Sequence, residues 1–279
     1  MRIRVWGTRG SIPVSGPEYM RYGGDTTCFE VTAADGEVLI VDAGTGIRGL
    51  GNRLAREGDP AVNLLFTHAH WDHLLGFPFF KPLYDPSARI ALYGCLCSQS
   101  SVREMISGTM NPPNFPVSLK DTHAEVIFHD YPLEDFQLGS VTVTPVVLSH
   151  TNTGIGYRFT ENGRRVVILT DNELRYQHPG GGTFDDYVAL CRGADLLVHD
   201  AQFLPDEYGR RRRWGHSTNV DAVDLAVQAG VKALGLCHHD QDRTDPEVDE
   251  IVAASRHLLK RERAEIECFG IAQGLEREV

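Results

Sequence analysis

The run THAHWDH, residues 67–73, most constrains what this chain can fold into. It follows an apolar run, residues 62–66, as expected of a strand that ends and delivers side chains into a cleft. Its candidate metal ligands, in the pattern H-x-H-x-D-H, are His68, His70, Asp72 and His73. Neutral imidazole and carboxylate suit zinc, iron or manganese. The two histidines can grip one cation and the Asp-His pair a second, so the motif indicates a metal hydrolase.

Composition narrows the class of protein further. The chain has 279 residues, of which 42% are hydrophobic and 23% charged, and these values predict a single globular domain over residues 1–279. A net charge of −11 argues against broad binding to nucleic acid or membranes. We expect neither a signal peptide nor a transmembrane helix. The scattered cysteines are interpreted as reduced thiols in a cytoplasmic protein, although Cys95-x-Cys97 could form half of a small metal site.

Short β-branched runs alternate with helical stretches, which predicts an α/β protein. Strands are predicted at residues 2–6, 28–32, 38–41, 62–66, 89–93, 125–129, 141–148, 155–159, 166–170, 196–199, 233–237 and 266–271. One helix is predicted over residues 219–229 after a Thr218 cap, and another with Asp245 as its cap and Pro246 at its first position. The proline-rich residues 108–120 are expected to be irregular, either a surface loop or a cover over a cleft.

Further polar residues follow apolar runs as the first motif does. Asp42, His150, Asp171 and His238 each come at the end of a predicted strand. Such a residue alone is usually a capping or solvated side chain. Their joint occurrence with H-x-H-x-D-H is hard to explain by chance.

These residues make the chain similar to the metallo-β-lactamase superfamily, in its ribonuclease Z and PhnP-like phosphodiesterase branch. The resemblance spans residues 7–240 and implies a four-layer αββα sandwich with a dinuclear site along one edge of two sheets. It implies two divalent metal ions, with Zn²⁺ favoured over Mn²⁺ or Fe. The implied ligands are His68, His70 and His150 for the first metal, Asp72, His73 and His238 for the second, and Asp171 as the bridge.

The resemblance also implies a role for Asp42 and favours one of two adjacent histidines as a ligand. Asp42 would accept a hydrogen bond from a ligand imidazole or from the motif turn. His238 is favoured over the adjacent His239 because the family ligand directly follows the strand. A hydroxide bridging the two metals would be the nucleophile, since the metals lower its pKa from about 16 toward about 7.

A second motif, WGHST at residues 214–218, resembles the G-H-S-T element of that branch. The resemblance implies that His216 protonates the leaving oxygen or stabilises charge, that Asp200 orients His216, and that Asp72 also belongs to the catalytic residues. The four arginines at residues 210–213 could clamp phosphate oxygens or form a solvated loop. The glycine-rich segments at residues 7–11 and 21–27 are expected to form turns near the site, with substrate contact open to Thr26.

The chain departs from the tRNA-processing members in one respect. Only residues 151–170 separate the His150 and Asp171 motifs, which is enough for a hairpin but not for a protruding arm. With the acidic charge, this argues against tRNA and favours a small phosphodiester, such as a cyclic nucleotide or a short oligonucleotide. No membrane partner is expected, and a homodimer remains open. The alternatives are a lactone, thioester or β-lactam hydrolase on the same site, a di-iron redox protein and a sensor module.

Overall fold

The computed structural model describes residues 1–58, 61–95 and 101–279. Its strands are β1 (Arg2–Gly7), β2 (Cys28–Thr32), β3 (Val38–Val41), β4 (Ala61–Leu65), β5 (Arg89–Cys95), β6 (Glu125–Tyr131), β7 (Phe136–Leu138), β8 (Val141–Leu148), β9 (Gly154–Glu161), β10 (Arg164–Leu169), β11 (Leu196–Asp200), β12 (Ala233–Cys237), β13 (Glu267–Gly270) and β14 (Glu276–Glu278). Its α-helices are α1 (Ile47–Glu57), α2 (Trp71–Leu74), α3 (Val102–Thr109), α4 (Phe184–Cys191), α5 (Pro205–Arg211), α6 (Asn219–Ala229) and α7 (Asp245–Arg261). Short 3-10 helices lie at Pro17–Tyr19, Phe77–Phe79, Lys81–Tyr84 and Leu119–Asp121.

The strands form two mixed seven-stranded sheets. The first has the order β14-β1-β2-β3-β4-β5-β6 and is parallel from β3 to β6. The second has the order β13-β12-β11-β10-β9-β8-β7 and is parallel from β10 to β13. Because parallel neighbours run in one direction, the loops that follow β3 and β4, or β10, β11 and β12, emerge at a shared edge of each sheet.

Buried side chains divide the molecule into four layers. The two sheets enclose one apolar cluster that includes Phe29, Val41 and Phe159. A second cluster, around Leu50 of α1, packs helices on the outer face of the first sheet. A third, around Leu225 of α6, packs helices on the outer face of the second. The arrangement helix, sheet, sheet, helix confirms the predicted αββα sandwich.

The two predicted helices differ in how well their starts were placed. Helix α6 has the predicted bounds, with Thr218 as the N-cap and a left-handed Gly230 as the C-cap. Helix α7 is capped by Thr244, so the prediction of Asp245 as the cap and Pro246 as the first helical residue was one residue late. Thr244 prevails because its backbone N–H and its hydroxyl both donate to the carboxylate of Glu247, which is the reach-back half of a capping box.

Residues 108–120 are only partly irregular. The helix α3 includes Gly108 and ends at Thr109, and a 3-10 helix begins at Leu119. The ring of Phe115 packs edge-on against Phe79, 5.6 Å between centroids, beside the helical layer of the first sheet. The segment therefore packs on the outer helical layer.

Four cysteines have free, buried thiols: Cys28, Cys191, Cys237 and Cys268. The predicted Cys95-x-Cys97 half-site lies outside the side chains that the structure describes. None of the helices in the described ranges has the length and apolar character needed to cross a bilayer.

Candidate metal centre

The site lies where strands of both sheets end. The THAHWDH segment follows β4 in the first sheet, and Asp42 follows the neighbouring β3. The second sheet contributes His150 after β8, Asp171 after β10 and His238 after β12. Three of these residues, Asp42, Asp171 and His238, have positive φ angles of 64°, 55° and 56°. Such angles are uncommon outside glycine and are typical of strained functional sites.

One group of possible ligands contains three histidines. His68, His70 and His150 each offer a ring nitrogen, and these atoms lie within 4.8 Å of one another. The Nε2 atom of His150 is 3.1 Å from Nδ1 of His70. Nδ1 of His150 donates to the carbonyl oxygen of Gly215 at 2.8 Å. That hydrogen bond selects the tautomer whose free Nε2 faces the other two histidines.

A second group contains two imidazoles and two carboxylates. Nε2 of His73 is 3.3 Å from Oδ2 of Asp72 and 3.2 Å from Oδ2 of Asp171. Nε2 of His238 is 3.2 Å from Oδ2 of Asp72 and 3.2 Å from Oδ1 of Asp171. All four side chains are buried.

Asp171 is close to both groups. Its Oδ1 lies 3.9 Å from Nε2 of His68 and 3.9 Å from Nε2 of His150, while the same carboxylate contacts the second group. The structure thus brings together all seven predicted ligands and puts the predicted bridging residue between the two groups.

A hydrogen bond at Nδ1 fixes the orientation of each imidazole in the second group. Nδ1 of His73 donates to Oδ2 of Asp42 at 2.7 Å, and Asp42 also accepts the backbone N–H of Thr67 at 2.7 Å. Nδ1 of His238 donates to Oε1 of Gln202 at 2.9 Å. Each contact leaves Nε2 pointing into the site, as is usual for metal-binding histidines. Asp42 therefore contacts both partners that the sequence allowed for it.

Unsatisfied polar atoms test whether these residues fit a cation. Nε2 of His68, Nε2 of His73 and Oδ2 of Asp171 are buried, and none of them makes a well-aligned hydrogen bond among the described residues, although the last two atoms lie 3.2 Å apart. A buried polar atom left unpaired costs about 1–3 kcal/mol, so such atoms are rare. Three of them converging in one cluster fit divalent cations that accept their lone pairs, and this donor set is one that zinc, manganese and iron share.

The pKa values of the histidines divide in the same way as the two groups. Burial lowers the pKa of His68 well below its usual range and that of His150 to about 3, so both imidazoles are neutral, the form that binds metal. Burial also opposes the charged form of His238, but the Asp171 and Asp72 carboxylates outweigh it and raise its pKa to about 9. The second group is thus the half of the site with the more negative electrostatic potential, where positive charge is stabilised.

His216 lies on the wall of the same cleft. Its Nδ1 donates to Oδ2 of Asp200 at 2.7 Å, and its ring stacks on that of His238 at a centroid distance of 4.9 Å. Asp200 is fully buried and also accepts the backbone N–H of Gln202. The predicted pairing of Asp200 with His216 is therefore present in the geometry.

His239 points away from the site. Its Nε2 donates to the carbonyl oxygen of Ile271 at 2.8 Å, and its ring lies edge-on to Tyr22. Thr26 was a candidate for substrate contact, but it is fully buried and its side chain accepts the backbone N–H of Thr45. Its hydroxyl belongs to the packing of the turn, because the chain covers it completely.

Some neighbours of the site were not singled out in the sequence. Gln202 supports His238, and the backbone N–H of Ser11 donates to Oδ2 of Asp72 at 2.8 Å. Ser11 lies in the glycine-rich segment at residues 7–11 that was expected near the site, so the sequence could have indicated its position. Gln202 carries no such signal, because its role depends on a turn two residues after Asp200.

The open cleft at the site has a volume of about 370 Å³ and is lined by Ser11, Ala69, His70, Trp71, Asp72, Asp171, His216 and His238. The Trp71 side chain is 77% exposed. None of the described residues in the ranges 108–120 and 210–213 lines it. Arg211 instead pairs with Asp240 at 3.1 Å, and Arg212 and Arg213 lie over the ring of Tyr176.

Comparison with known proteins agrees with this geometry. The model of the beta-lactamase superfamily domain matches residues 38–239. The chain is 26% identical to a ribonuclease Z of Haloarcula marismortui, over 94% of this chain and 93% of the relative. Among solved structures, it is similar to the metallo-beta-lactamase fold protein YhfI of Bacillus subtilis, with a TM-score of 0.74, 20% identity and coverage of 100% and 98%. It is also similar to a diphosphatase of the PhnP family, with a TM-score of 0.67, 23% identity and coverage of 100% and 97%.

The matched family domain includes every predicted ligand, from His68 to His238, and also Asp42. The fold and the cluster of histidines and aspartates indicate divalent metal binding. The chain therefore belongs to the metallo-β-lactamase superfamily and is a metal-dependent hydrolase, and it is similar to a ribonuclease Z and to a PhnP-family diphosphatase.

Proposed function

We propose that this protein hydrolyses a small phosphodiester, such as a cyclic nucleotide or a short oligonucleotide, at a centre of two divalent cations. Zinc is the first candidate, with manganese and iron as alternatives. The observation that carries the proposal is the position of His216. It is held by Asp200 on the wall of the cleft into which both groups of possible ligands face.

In this proposal the residues of the cluster divide between two cations. His68, His70 and His150 hold one cation, Asp72, His73 and His238 hold the other, and Asp171 is shared between them. When bound, the cations act as Lewis acids toward the phosphoryl oxygens and lower the pKa of an attacking water.

The protein's own contribution to the reaction is proton transfer and orientation. Because Asp200 accepts the hydrogen bond from Nδ1 of His216, the remaining Nε2–H is free to donate its proton to the leaving oxygen as the P–O bond breaks. The buried Asp200 carboxylate stabilises the charged imidazole before that transfer. Asp72 also lines the cleft, and in this proposal its carboxylate, besides holding a cation, would accept a hydrogen bond from the attacking water.

The cleft also supports a nucleotide-like substrate. Among the described residues that line it, Trp71 has the one large apolar side chain, and its indole is mostly exposed. An exposed indole offers a flat face on which a nucleobase stacks. A volume of about 370 Å³ is at the lower end of the usual range for small-molecule sites, which favours a small diester.

The first test is turnover of bis-p-nitrophenyl phosphate, with the metal content measured on the same sample. We expect turnover with about two metals per chain, followed by activity on cyclic nucleotides or dinucleotides. Hydrolysis of a lactone, a thioester or nitrocefin, in the absence of any diester turnover, would assign the site to acyl chemistry instead.

A structured RNA is the second candidate, because the ribonuclease Z relative matches over 94% of the chain. The segment between the His150 and Asp171 motifs is the β9–β10 hairpin, joined at Asn162 and Gly163. We expect small diesters to be turned over far faster than a precursor tRNA. Comparable rates on the two substrates would contradict the proposal.

Two further statements belong to the same proposal. Both sheets contribute ligands, so residues 1–279 act as one catalytic domain. The four free thiols fit a reducing compartment, and we place the enzyme in the cytoplasm.

A further inference from the structure

Glu173 is a buried carboxylate two residues beyond Asp171, and no role in the proposed reaction uses it. Its side chain is 1% exposed. The carboxylate accepts four hydrogen bonds, which use most of its capacity as an acceptor. The donors are Oη of Tyr208 at 2.7 Å, the backbone N–H of Arg213 at 2.8 Å, the backbone N–H of Gly215 at 2.9 Å and Nε2 of His178 at 2.8 Å.

Two of these donors belong to the turn that leads into His216. Arg213 has a positive φ angle of 74°, which a residue with a side chain disfavours, while the φ angle of 93° at Gly215 is one that glycine adopts readily. A carboxylate that binds both N–H groups supplies the stabilisation that this conformation requires. Glu173 therefore fixes the shape of the turn at residues 213–215.

The turn at residues 213–215 also fixes the position of His150, one of the candidate metal ligands. The carbonyl oxygen of Gly215 accepts the Nδ1–H of His150 at 2.8 Å. The contact is so close that a Cβ on Gly215 would lie 2.1 Å from that nitrogen. The backbone N–H of Glu173 also donates to the carbonyl oxygen of Ser149, the residue before His150. Glu173 thus holds His150 from two directions.

We propose that Glu173 is a positioning residue that sets the orientation and tautomer of His150 and the placement of His216 through the turn at residues 213–215. It acts on both the ligand and the proton donor without touching either side chain. The inference rests on the proposed function only for its kinetic readout. Metal affinity and imidazole N–H signals report on it independently of the substrate.

Glu173→Gln is the decisive variant. An amide has one oxygen, so either orientation leaves the N–H of Arg213 or that of Gly215 facing an N–H donor. Glu161→Gln is the matched control, because Glu161 is also a buried carboxylate, 3% exposed, that accepts from the backbone N–H of Ala34 and from Ser140. Glu161 ends β9 in the β9–β10 turn, away from the strand ends that carry the site.

The measurements are kcat and KM on bis-p-nitrophenyl phosphate, zinc affinity by chelator competition, and the downfield imidazole N–H resonances of the zinc-loaded protein. For Glu173→Gln we expect zinc affinity or kcat to fall by about 10- to 100-fold with KM nearly unchanged, together with a shifted or lost His150 N–H signal. Glu161→Gln should lose stability but keep kcat and zinc affinity.

The inference is overturned if both variants keep zinc affinity, kcat and the N–H signals within twofold of the parent protein. It is also overturned if Glu161→Gln loses as much zinc affinity as Glu173→Gln, since the effect would then follow stability alone. Should Glu173→Gln fail to fold, Glu173→Asp carries the same test, because it keeps the charge and withdraws the oxygens from the turn. If the parent protein turns over no diester, the proposed function fails, while zinc affinity and the N–H signals still test Glu173.

Discussion

Asp42 and His73 form a fully buried pair in which Nδ1 of His73 donates to Oδ2 of Asp42 at 2.7 Å. The same carboxylate accepts the backbone N–H of Thr67, at the start of the metal-ligand motif. One side chain therefore orients an imidazole and anchors the turn that carries the other motif residues.

Asp42→Asn should weaken metal binding without unfolding the protein. The amide either turns its oxygen toward Thr67 or toward His73, so one of the two hydrogen bonds is lost. We expect zinc affinity or kcat to fall by about 10- to 100-fold, as found for residues that support metal-binding histidines. Chelator competition measures this. Asp35→Asn is the control, since Asp35 also accepts backbone N–H groups but is exposed, and a similar loss in both variants would contradict the role of Asp42.

His68→Ala and His216→Ala should separate metal binding from turnover. His68 has a buried, unpaired Nε2 within the three-histidine group, so its removal should abolish metal binding and activity together. Removal of His216 should leave the metal content intact and lower kcat by roughly 10²- to 10⁴-fold if it is the general acid. Metal analysis and kcat on the same samples decide this.

The exposed His257 on α7 supplies the control for both substitutions, because its replacement by alanine should change neither quantity. Full activity in His216→Ala would show that the proton donor has been wrongly assigned.

Gly215→Ala should disrupt the site although it adds only a methyl group. The new Cβ would lie 2.1 Å from Nδ1 of His150, and the φ angle of 93° is unfavourable for alanine. We expect loss of zinc affinity and of kcat, each by more than about tenfold. Gly209→Ala is the matched control, because that Cβ would meet no atom of the described residues within 4 Å and Gly209 lies in α5. Equal behaviour of the two alanine variants would argue against the close contact.

Trp71→Ala should raise KM for substrates that carry a base. Stacking of one base contributes about 1–3 kcal/mol, so a rise in KM of about tenfold is expected, with little change for a dialkyl phosphate. Phe79→Ala is the control, because that ring is 56% exposed and is not among the described residues that line the cleft. If both variants raise KM equally, or if dialkyl phosphate is affected as strongly, Trp71 does not stack on the base.

The sequence predicted the strand ends of the site well, because polar residues directly after apolar runs mark that position. Asp42, His150, Asp171 and His238 are all placed in this way. Parallel pairing brings together the ends of β3 and β4 and those of β10, β11 and β12, whereas β8 reaches the same edge through two antiparallel pairings, with β9 and then β10. Helix caps were less certain: Thr244 displaced Asp245 because the capping box depends on a contact with Glu247 three residues later. The strands β7 and β14 have three residues each, too few to produce a recognisable pattern.

The residues that orient the candidate ligands could not be predicted from the sequence. Gln202 and Glu173 act through contacts that span 36 and 42 residues, to His238 and Gly215, and only the folded chain brings these segments together. Neither residue type is distinctive, because buried glutamine and glutamate serve many purposes. The candidate ligands could be predicted from chemistry and spacing, whereas the groups that orient them depend on tertiary packing.

The site is shared between two sheets, and this has a mechanical consequence. The first sheet supplies His68, His70, Asp72 and His73, while the second supplies His150, Asp171 and His238. A cation bound by side chains of both sheets would cross-link the two layers of the sandwich. Part of its binding free energy then resists the sliding or parting of the layers. Metal binding and the alignment of the two sheets are then thermodynamically coupled. A change that separates the sheets therefore also weakens metal binding.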